Sequence, residues 1–385
     1  MRTPSRFFTL GLAFSAILAG ACAEPVPPSA PRSTETAALL PHEDAFIALE
    51  TVEPYTPYLE RRRAHTTRVE QIGPNEPQEM PPRPSGTDEV RYRSAGLELK
   101  AWLTVPRNAS GRRPAVVYLH NDFGLTSLSV ENARPFAEAG FVLMLPTYRS
   151  ENGNPGSFEL LFGEVDDARA AIRWLAQRPE VDPDRIYVIG HSIGGGIAGL
   201  LTLFPEPSVR HTASVGGMYR AHTFKYWARR RSSGGLVRFD ASDHAEVSLR
   251  LLGPNVRDMV QPHRAYAGTD DDFDVRYAKL VLDLARAHGK LYTFVPVEGN
   301  HMASITAAVK DYIAFIEADV RAIAPLARRS WQGQSGYGRG VAHHERQDLP
   351  IKHSPVDDLA RGPRLEMVPW RSRGSSDNSR SGHYR

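Results

Sequence analysis

Three loops of this chain carry residue types that could break an acyl bond. Ser192 stands in Gly190-His191-Ser192-Ile193-Gly194, three consecutive carboxylates stand in Gly268-Thr269-Asp270-Asp271-Asp272, and His301 closes Glu298-Gly299-Asn300-His301. A serine hydroxyl is a weak nucleophile until a base takes its proton, and the base needs an acid to fix its orientation. His301 is the histidine placed to serve as base, and the Asp run supplies the acid, with Asp270, Asp271 and Asp272 all open on residue type alone. The order nucleophile, acid, base is the one expected of a serine on a strand-turn-helix elbow.

The elements that must position these residues are legible around each of them. Arg185 to Ile189 is a strand-forming run ahead of the Gly-x-Ser-x-Gly turn, and a Gly/Ala/Leu-rich helical segment follows. Side chains at Gly190 and Gly194 would clash in so sharp a turn. The turn leaves Ser192 at a helix N-terminus, where unpaired N–H groups favour a developing oxyanion. The Asp run and His301 each follow a short strand, at the end of the sheet where α/β folds place their chemistry. Thirty residues separate Asp271 from His301, room for one helix and one strand.

Regular structure is expected from residue 89, opening with a β-hairpin that turns at Ala95-Gly96. Strands then alternate with helices: strands near 114–120, 141–145, 185–190, 212–215, 263–267 and 291–297, and helices over 129–139, 164–177, 244–252, 274–287 and 304–323. Continuous apolar strands separated by helices predict an α/β domain with a mostly parallel central sheet and helices on both faces. The domain is bounded at 89–325. Within it, 218–240 carries Tyr219, Phe224, Tyr226 and Trp227 ahead of Arg229-Arg230-Arg231, and reads either as core-completing insertion or as a lid.

The flanks read differently. Residues 1–23 have Arg2 and Arg6, an apolar run from Phe7 to Leu18 and small residues around Cys22, the pattern of a secretory signal. Cys22 is the only cysteine of the 385 residues, so no internal disulfide forms. Two cleavage readings follow: a lipobox that leaves Cys22 lipidated and membrane-attached, or ordinary cleavage at Ala21-Cys22-Ala23. Both place the mature protein outside the cytoplasm, in the cell envelope or secreted. Residues 24–88 are a Pro-rich linker with an N-terminal helix within 42–68, and 326–385 is a basic tail expected to lack regular structure. From Arg328 onward that tail holds 11 Lys or Arg against 6 Asp or Glu, which accounts for the whole net charge of +3. The domain itself is near neutral, which argues against nucleic acid as a partner.

These motifs together resemble the α/β-hydrolase superfamily, in the branch of prolyl-oligopeptidase-like serine peptidases and dienelactone-hydrolase-like esterases. The resemblance rests on Val181-Asp182-Pro183-Asp184-Arg185-Ile186 leading into the elbow, Tyr148 to Gly156, Gly163-Glu164-Val165-Asp166-Asp167, and the acid and histidine loops. It implies a Ser192–Asp271–His301 triad, because the family acid stands three residues after the glycine. It also implies an oxyanion hole from the backbone N–H groups of Ile193 and Asp122, with Asn121 the alternative to Asp122. The implied activity is hydrolysis of an ester or amide, on a small molecule or short peptide, without metal or organic cofactor. Three departures stand out. Only about 65 residues precede the domain after the signal, too few for a β-propeller; Asp274 stands where the family often has Val; and the nucleophile is Ser where dienelactone hydrolases use Cys. Acyl transfer on the same triad, and a non-catalytic binding role at the envelope, remain alternatives.

Overall fold

The computed structural model describes residues 55–69, 79–107, 111–217, 223–224, 228 and 237–334, with side chains as far as residue 322. The expected signal segment, Cys22 and most of the 218–240 insertion therefore lie outside the described residues. The chain divides into two units, Met1–Arg329, which holds the sheet, and Ser330–Arg385.

Eight strands form one sheet: β1 (Thr87–Ser94), β2 (Leu97–Thr104), β3 (Arg113–Leu119), β4 (Val142–Pro146), β5 (Val181–His191), β6 (Val209–Val215), β7 (His263–Gly268) and β8 (Tyr292–Val297). Their order is β1-β2-β4-β3-β5-β6-β7-β8. β2 pairs antiparallel with β1 and β4, and every other neighbouring pair is parallel. The β1–β2 hairpin closes on Ala95 (φ 46°) and Gly96 (φ 83°). Two successive positive φ values make the tight turn whose twist matches the flanking strands.

Alternation along the central strands divides the core. Ala115, Val117 and Leu119 of β3 pack on one side with residues of α3 (Gly163–Ala176), α4 (Ile193–Leu201) and α6 (Asp272–Ala287). Val116 and Tyr118 point the other way, toward Ala133 and Phe136 of α2 (Ser127–Glu138) and Ile305, Val309 and Tyr312 of α7 (Ser304–Gln334). A strand buried on both faces has no polar register, which is why β3, β4 and β5 read as continuous apolar runs.

α7 is fastened to the sheet by polar contacts as well as packing. The Tyr312 hydroxyl donates to the carbonyls of Val188 (3.2 Å) and His211 (3.1 Å). Asp319 accepts from the Tyr187 hydroxyl at 2.6 Å and from both ends of the Arg210 guanidinium at 2.9 and 3.0 Å. The helix continues through Pro325 to Gln334, beyond the domain end expected from sequence. Pro removes one backbone donor, and the Leu-Ala-Arg-Arg run after it is made of good helix formers.

The helix expected over 244–252 is shorter: α5 (His244–Ser248) ends early and a 3₁₀ turn covers Gly253–Asp258. Pro254 disfavours helical geometry in the residue before it and supplies no donor.

The segment 55–69, assigned to a linker-with-helix by sequence, forms α1 (Tyr58–Ala64) and lies against late elements of the same domain. The Tyr58 N–H donates to Asp258 at 2.8 Å and its fully buried hydroxyl to the Leu249 carbonyl at 3.1 Å. Arg62 donates to Asp166 at 2.8 Å and to the Phe162 carbonyl at 2.9 Å. Thr67 and the Arg68 N–H both donate to Glu246 at 2.8 Å. Phe224, in the insertion, is fully buried and packs edge-on to Phe239 at 5.4 Å, so this one aromatic completes the core.

Two predictions follow from this packing. Tyr58→Ala removes a large buried ring and should lower unfolding free energy by roughly 3–5 kcal/mol; an unchanged urea midpoint would show that α1 is not integral to the fold. His263, hydrogen-bonded to Thr212 and Ser214 (2.8 Å each), and His211 are held neutral, burial lowering them to about 3 and about 4. The unfolded chain binds these protons near pH 6.5 and the folded one does not. Stability is therefore complete above pH 6.5 and declines as pH falls toward 4, by about 1.4 kcal/mol per unit for each group. Urea titrations at pH 7 and pH 5 should show the lower midpoint at pH 5, and equal midpoints would mean these histidines titrate normally.

Candidate active site

Ser192 sits between the end of β5 and the start of α4 with φ 55° and ψ −114°, outside the regions an L-residue prefers. Its N–H donates across to the Val215 carbonyl of β6 at 2.9 Å, and its carbonyl accepts the Gly196 N–H at 3.0 Å. These two bonds hold the strained residue from either side. A Cβ on Gly194 would strike the carbonyls of Leu119 and His120, so the elbow lies directly against the loop leaving β3. The residues expected from sequence to offer oxyanion donors, Ile193 and Asp122 with Asn121 as the alternative, lie on those same two segments. Asp122 adopts a left-handed conformation, φ 69°.

The loop after β3 is anchored on three sides. Asn121, where a glycine is usual, is buried, and its side-chain carbonyl accepts the Ser129 hydroxyl of α2 at 3.0 Å. Asn152 bridges to Leu125, accepting its N–H at 2.8 Å and donating to its carbonyl at 3.1 Å. His120 is fully buried, stacks on Tyr148 at 4.9 Å and lies 3.1 Å from the Glu151 carboxylate, whose other contact is the Tyr148 N–H at 3.0 Å. Burial pushes the His120 pKa down, but the Glu151 charge and hydrogen bonding outweigh it and the net direction is up. Next along the same loop, Arg149 grips Asp167 of α3 through Nε (2.9 Å) and Nη2 (2.8 Å), with Nη1 on Glu159 at 2.9 Å. A bidentate guanidinium–carboxylate pair fixes direction as well as distance. So the Tyr148–Gly156 segment, recognised in sequence only as a motif, is the bracket between the β3 loop and α3.

His301 lies in the loop between β8 and α7. Its Nδ1 is 2.9 Å from Asp274 Oδ2 and 3.4 Å from Asp271 Oδ2. The structure thus brings Asp271 to the histidine, as the resemblance implied, and brings a nearer carboxylate that the sequence reading treated only as a departure. Asp271 also caps α6, accepting the Asp274 N–H at 3.1 Å. Asp270 and Asp272 are exposed; the Asp270 N–H donates to the Gly299 carbonyl at 3.0 Å, and neither carboxylate is among the His301 contacts. Spacing could have pointed to Asp274, because positions three apart at a helix start lie on one face.

Gly216, at φ 53°, is what lets the imidazole approach the sheet: a Cβ there would lie 2.7 Å from His301 Nδ1 and 2.9 Å from Asp274 Oδ2. Gly216 directly follows Val215, the partner of the Ser192 N–H, so His301 and the elbow meet at the tip of β6. His191, fully buried beside Ser192, places its Nε2 3.0 Å from the His301 carbonyl, with the two rings 5.2 Å apart. Burial and the nearby His301 depress its pKa to about 3, so it stays neutral and can donate from Nε2. For Asp271, burial raises the pKa, but the hydrogen bonds of His301 and Asp274 bring it down to about 2. An ionised carboxylate and an imidazole in contact can hold and stabilise an imidazolium as a proton arrives from a neighbouring hydroxyl.

Comparison with known proteins agrees with this architecture. Residues 99–225 match the model of the Dienelactone hydrolase family. An uncharacterized peptidase of Bacillus subtilis, YtmA, is 36% identical over 129 residues, 31% of this chain and 48% of that protein. An uncharacterized Mycobacterium tuberculosis protein is 36% identical over 125 residues, 32% of this chain and 44% of the other. The chain spans less than half the length of these relatives. Among solved structures, a puromycin-hydrolyzing peptidase of M. tuberculosis superposes with TM-score 0.52 at 17% identity, over 60% of this chain and 40% of that one. Porphyromonas gingivalis dipeptidyl peptidase 4 gives 0.50 at 16%, over 60% and 35%. The fold is that of an α/β hydrolase.

Gly194→Ala should push the elbow off the β3 loop. A displacement of about 1 Å at a reacting centre costs on the order of 100-fold in rate; a soluble Gly194→Ala variant with undiminished activity would show that this backbone approach does not set the site geometry.

Proposed function

Starting from an α/β-hydrolase fold, we propose that this protein is a serine hydrolase that opens an ester or amide bond through an acyl-enzyme on Ser192. His301 takes the hydroxyl proton as the bond to the acyl carbon forms, and returns it to the leaving group as the carbonyl re-forms. A water then repeats the sequence and frees the acid. Asp271 orients the imidazole, and the N–H groups of Ile193 and Asp122 receive the negative charge that develops on the carbonyl oxygen. Losing one such donor costs about 2.7–4 kcal/mol of barrier.

The observation that carries this reading is the pairing of a strained serine at a helix N-terminus with a carboxylate-bound histidine at the tip of the adjacent strand. The substrate class is a small ester or a short peptide, in keeping with a chain whose matched relatives include a named peptidase and whose family model is that of dienelactone hydrolases.

A fluorophosphonate probe tests it. The purified protein should become covalently labelled, labelling should vanish in Ser192→Ala, and His301→Ala should slow it by several orders of magnitude. A folded wild-type protein that resists the probe, or a Ser192→Ala variant that still labels, would overturn the proposal.

A further inference from the structure

Most of the polar side chains around the proposed triad have a single evident duty, but Asp274 does not. It is buried, 8% exposed at the side chain, in a helix that Asp271 already caps. An ionisable group is taken out of water at considerable cost unless something compensates it. His301 Nδ1 lies 2.9 Å from Asp274 Oδ2, half an ångström closer than to Asp271. Gly216 gives up its side chain at the one place where a Cβ would crowd both Asp274 Oδ2 and His301 Nδ1.

We infer that Asp274 is a second orienting carboxylate of this site, sharing the Nδ1–H of His301 with Asp271, so that the base is held by a redundant pair. This rests on the serine-hydrolase reading and adds to it a positioning residue. The arrangement is cooperative. The Asp274 N–H donates to Asp271 Oδ1 at 3.1 Å, so the first turn of α6 fixes the two carboxylates relative to each other before either meets the imidazole. Both then engage the same ring nitrogen, Nδ1, and limit rotation of the ring. The depressed pKa of Asp271, to which both His301 and Asp274 contribute hydrogen bonds, accords with a pair acting as one unit.

The titratable groups that touch His301 include Asp271 at the N-cap of α6, Asp274 in its first turn and neutral His191 from β5. Glu298 on its own loop, and Asp270 and Asp272, are exposed to water. The negative charge near the ring therefore comes from the pair, and it favours the imidazolium over the neutral ring. Removing one carboxylate should weaken that preference and move the acidic limb of the kcat/KM profile to lower pH.

The test is a double-mutant cycle with the near-isosteric variants Asp271→Asn and Asp274→Asn in the full chain. Each single variant should lose about 10- to 100-fold in kcat/KM, mainly in kcat, with the acidic limb moved to lower pH. The double variant should approach the loss of about 10⁴ that follows when a triad acid is removed altogether. A wild-type rate in either single variant, a single loss equal to the double, or an unmoved acidic limb in Asp274→Asn overturns the inference. Imidazole NMR of the wild-type protein, with His301→Gln for assignment, needs neither activity nor a folded Asn variant. His301 should titrate above 6.5, the ordinary value, and show a protected Nδ1 proton. A lower titration point or an unprotected Nδ1 proton overturns the redundant pair even if Ser192 labels, whereas a failed probe with a raised titration point overturns only the hydrolase reading.

Discussion

The site depends on one close approach of backbone to backbone. At Gly194 the first turn of α4 lies against the carbonyls at the end of β3, with no space for even a methyl group between them. That contact sets how far the serine elbow stands from the loop bearing Asp122. It also requires β3 and β5 to be neighbours, in register from Ala115–Ile186 to Leu119–Gly190. The unfavourable backbone of Ser192 survives because the surrounding sheet over-determines it: the residue donates to β6 on one side and accepts from α4 on the other.

The remaining loops are brought to that point by polar brackets, each joining elements distant in sequence. The Arg149–Asp167 pair and the Asn152–Leu125 exchange hold the β3 loop against α3. The contacts through Tyr312 and Asp319 fasten α7, the helix that follows the loop of His301, to β5 and β6. In a low-dielectric interior such contacts are satisfied completely or they are liabilities. Around Arg149, Asn152 and the β3 loop they fix orientation, which matters more there than net stability.

Much of this was legible in the sequence, for reasons specific to each element. The hairpin turn, the elbow and the strand ends that carry Asp271 and His301 are short-range patterns, set by sterics or by period-two and helical alternation. What sequence could not supply was partnership across the fold. Phe224 was equally consistent with lid or core until its packing on Phe239 was seen. The fate of 55–69 depended on surfaces formed by residues near 166 and 246–258. Asp274 looked like a mere departure because a residue's role at helix position three is decided by what the neighbouring loop presents to it. After Ser248 the helix gives way to a 3₁₀ segment over Gly253–Asp258, where apolar spacing suggested continuation to 252.

The docking of α1 has a consequence for how the chain reaches this structure. Tyr58 meets its partners across sequence separations of 191 and 200 residues, so these are among the least local contacts in the domain. During synthesis the surface that receives α1 does not exist until the chain has grown past Asp258. Closing so long a loop carries an entropic penalty that grows only slowly with length, but it can be recovered only after the partner elements are assembled. Until then the apolar face of Tyr58 has no cover, and a chaperone or any other apolar surface is its competitor. Maturation of this protein therefore ties an early segment to a much later one: α1 cannot be stowed before the chain around Leu249 and Asp258 is in place.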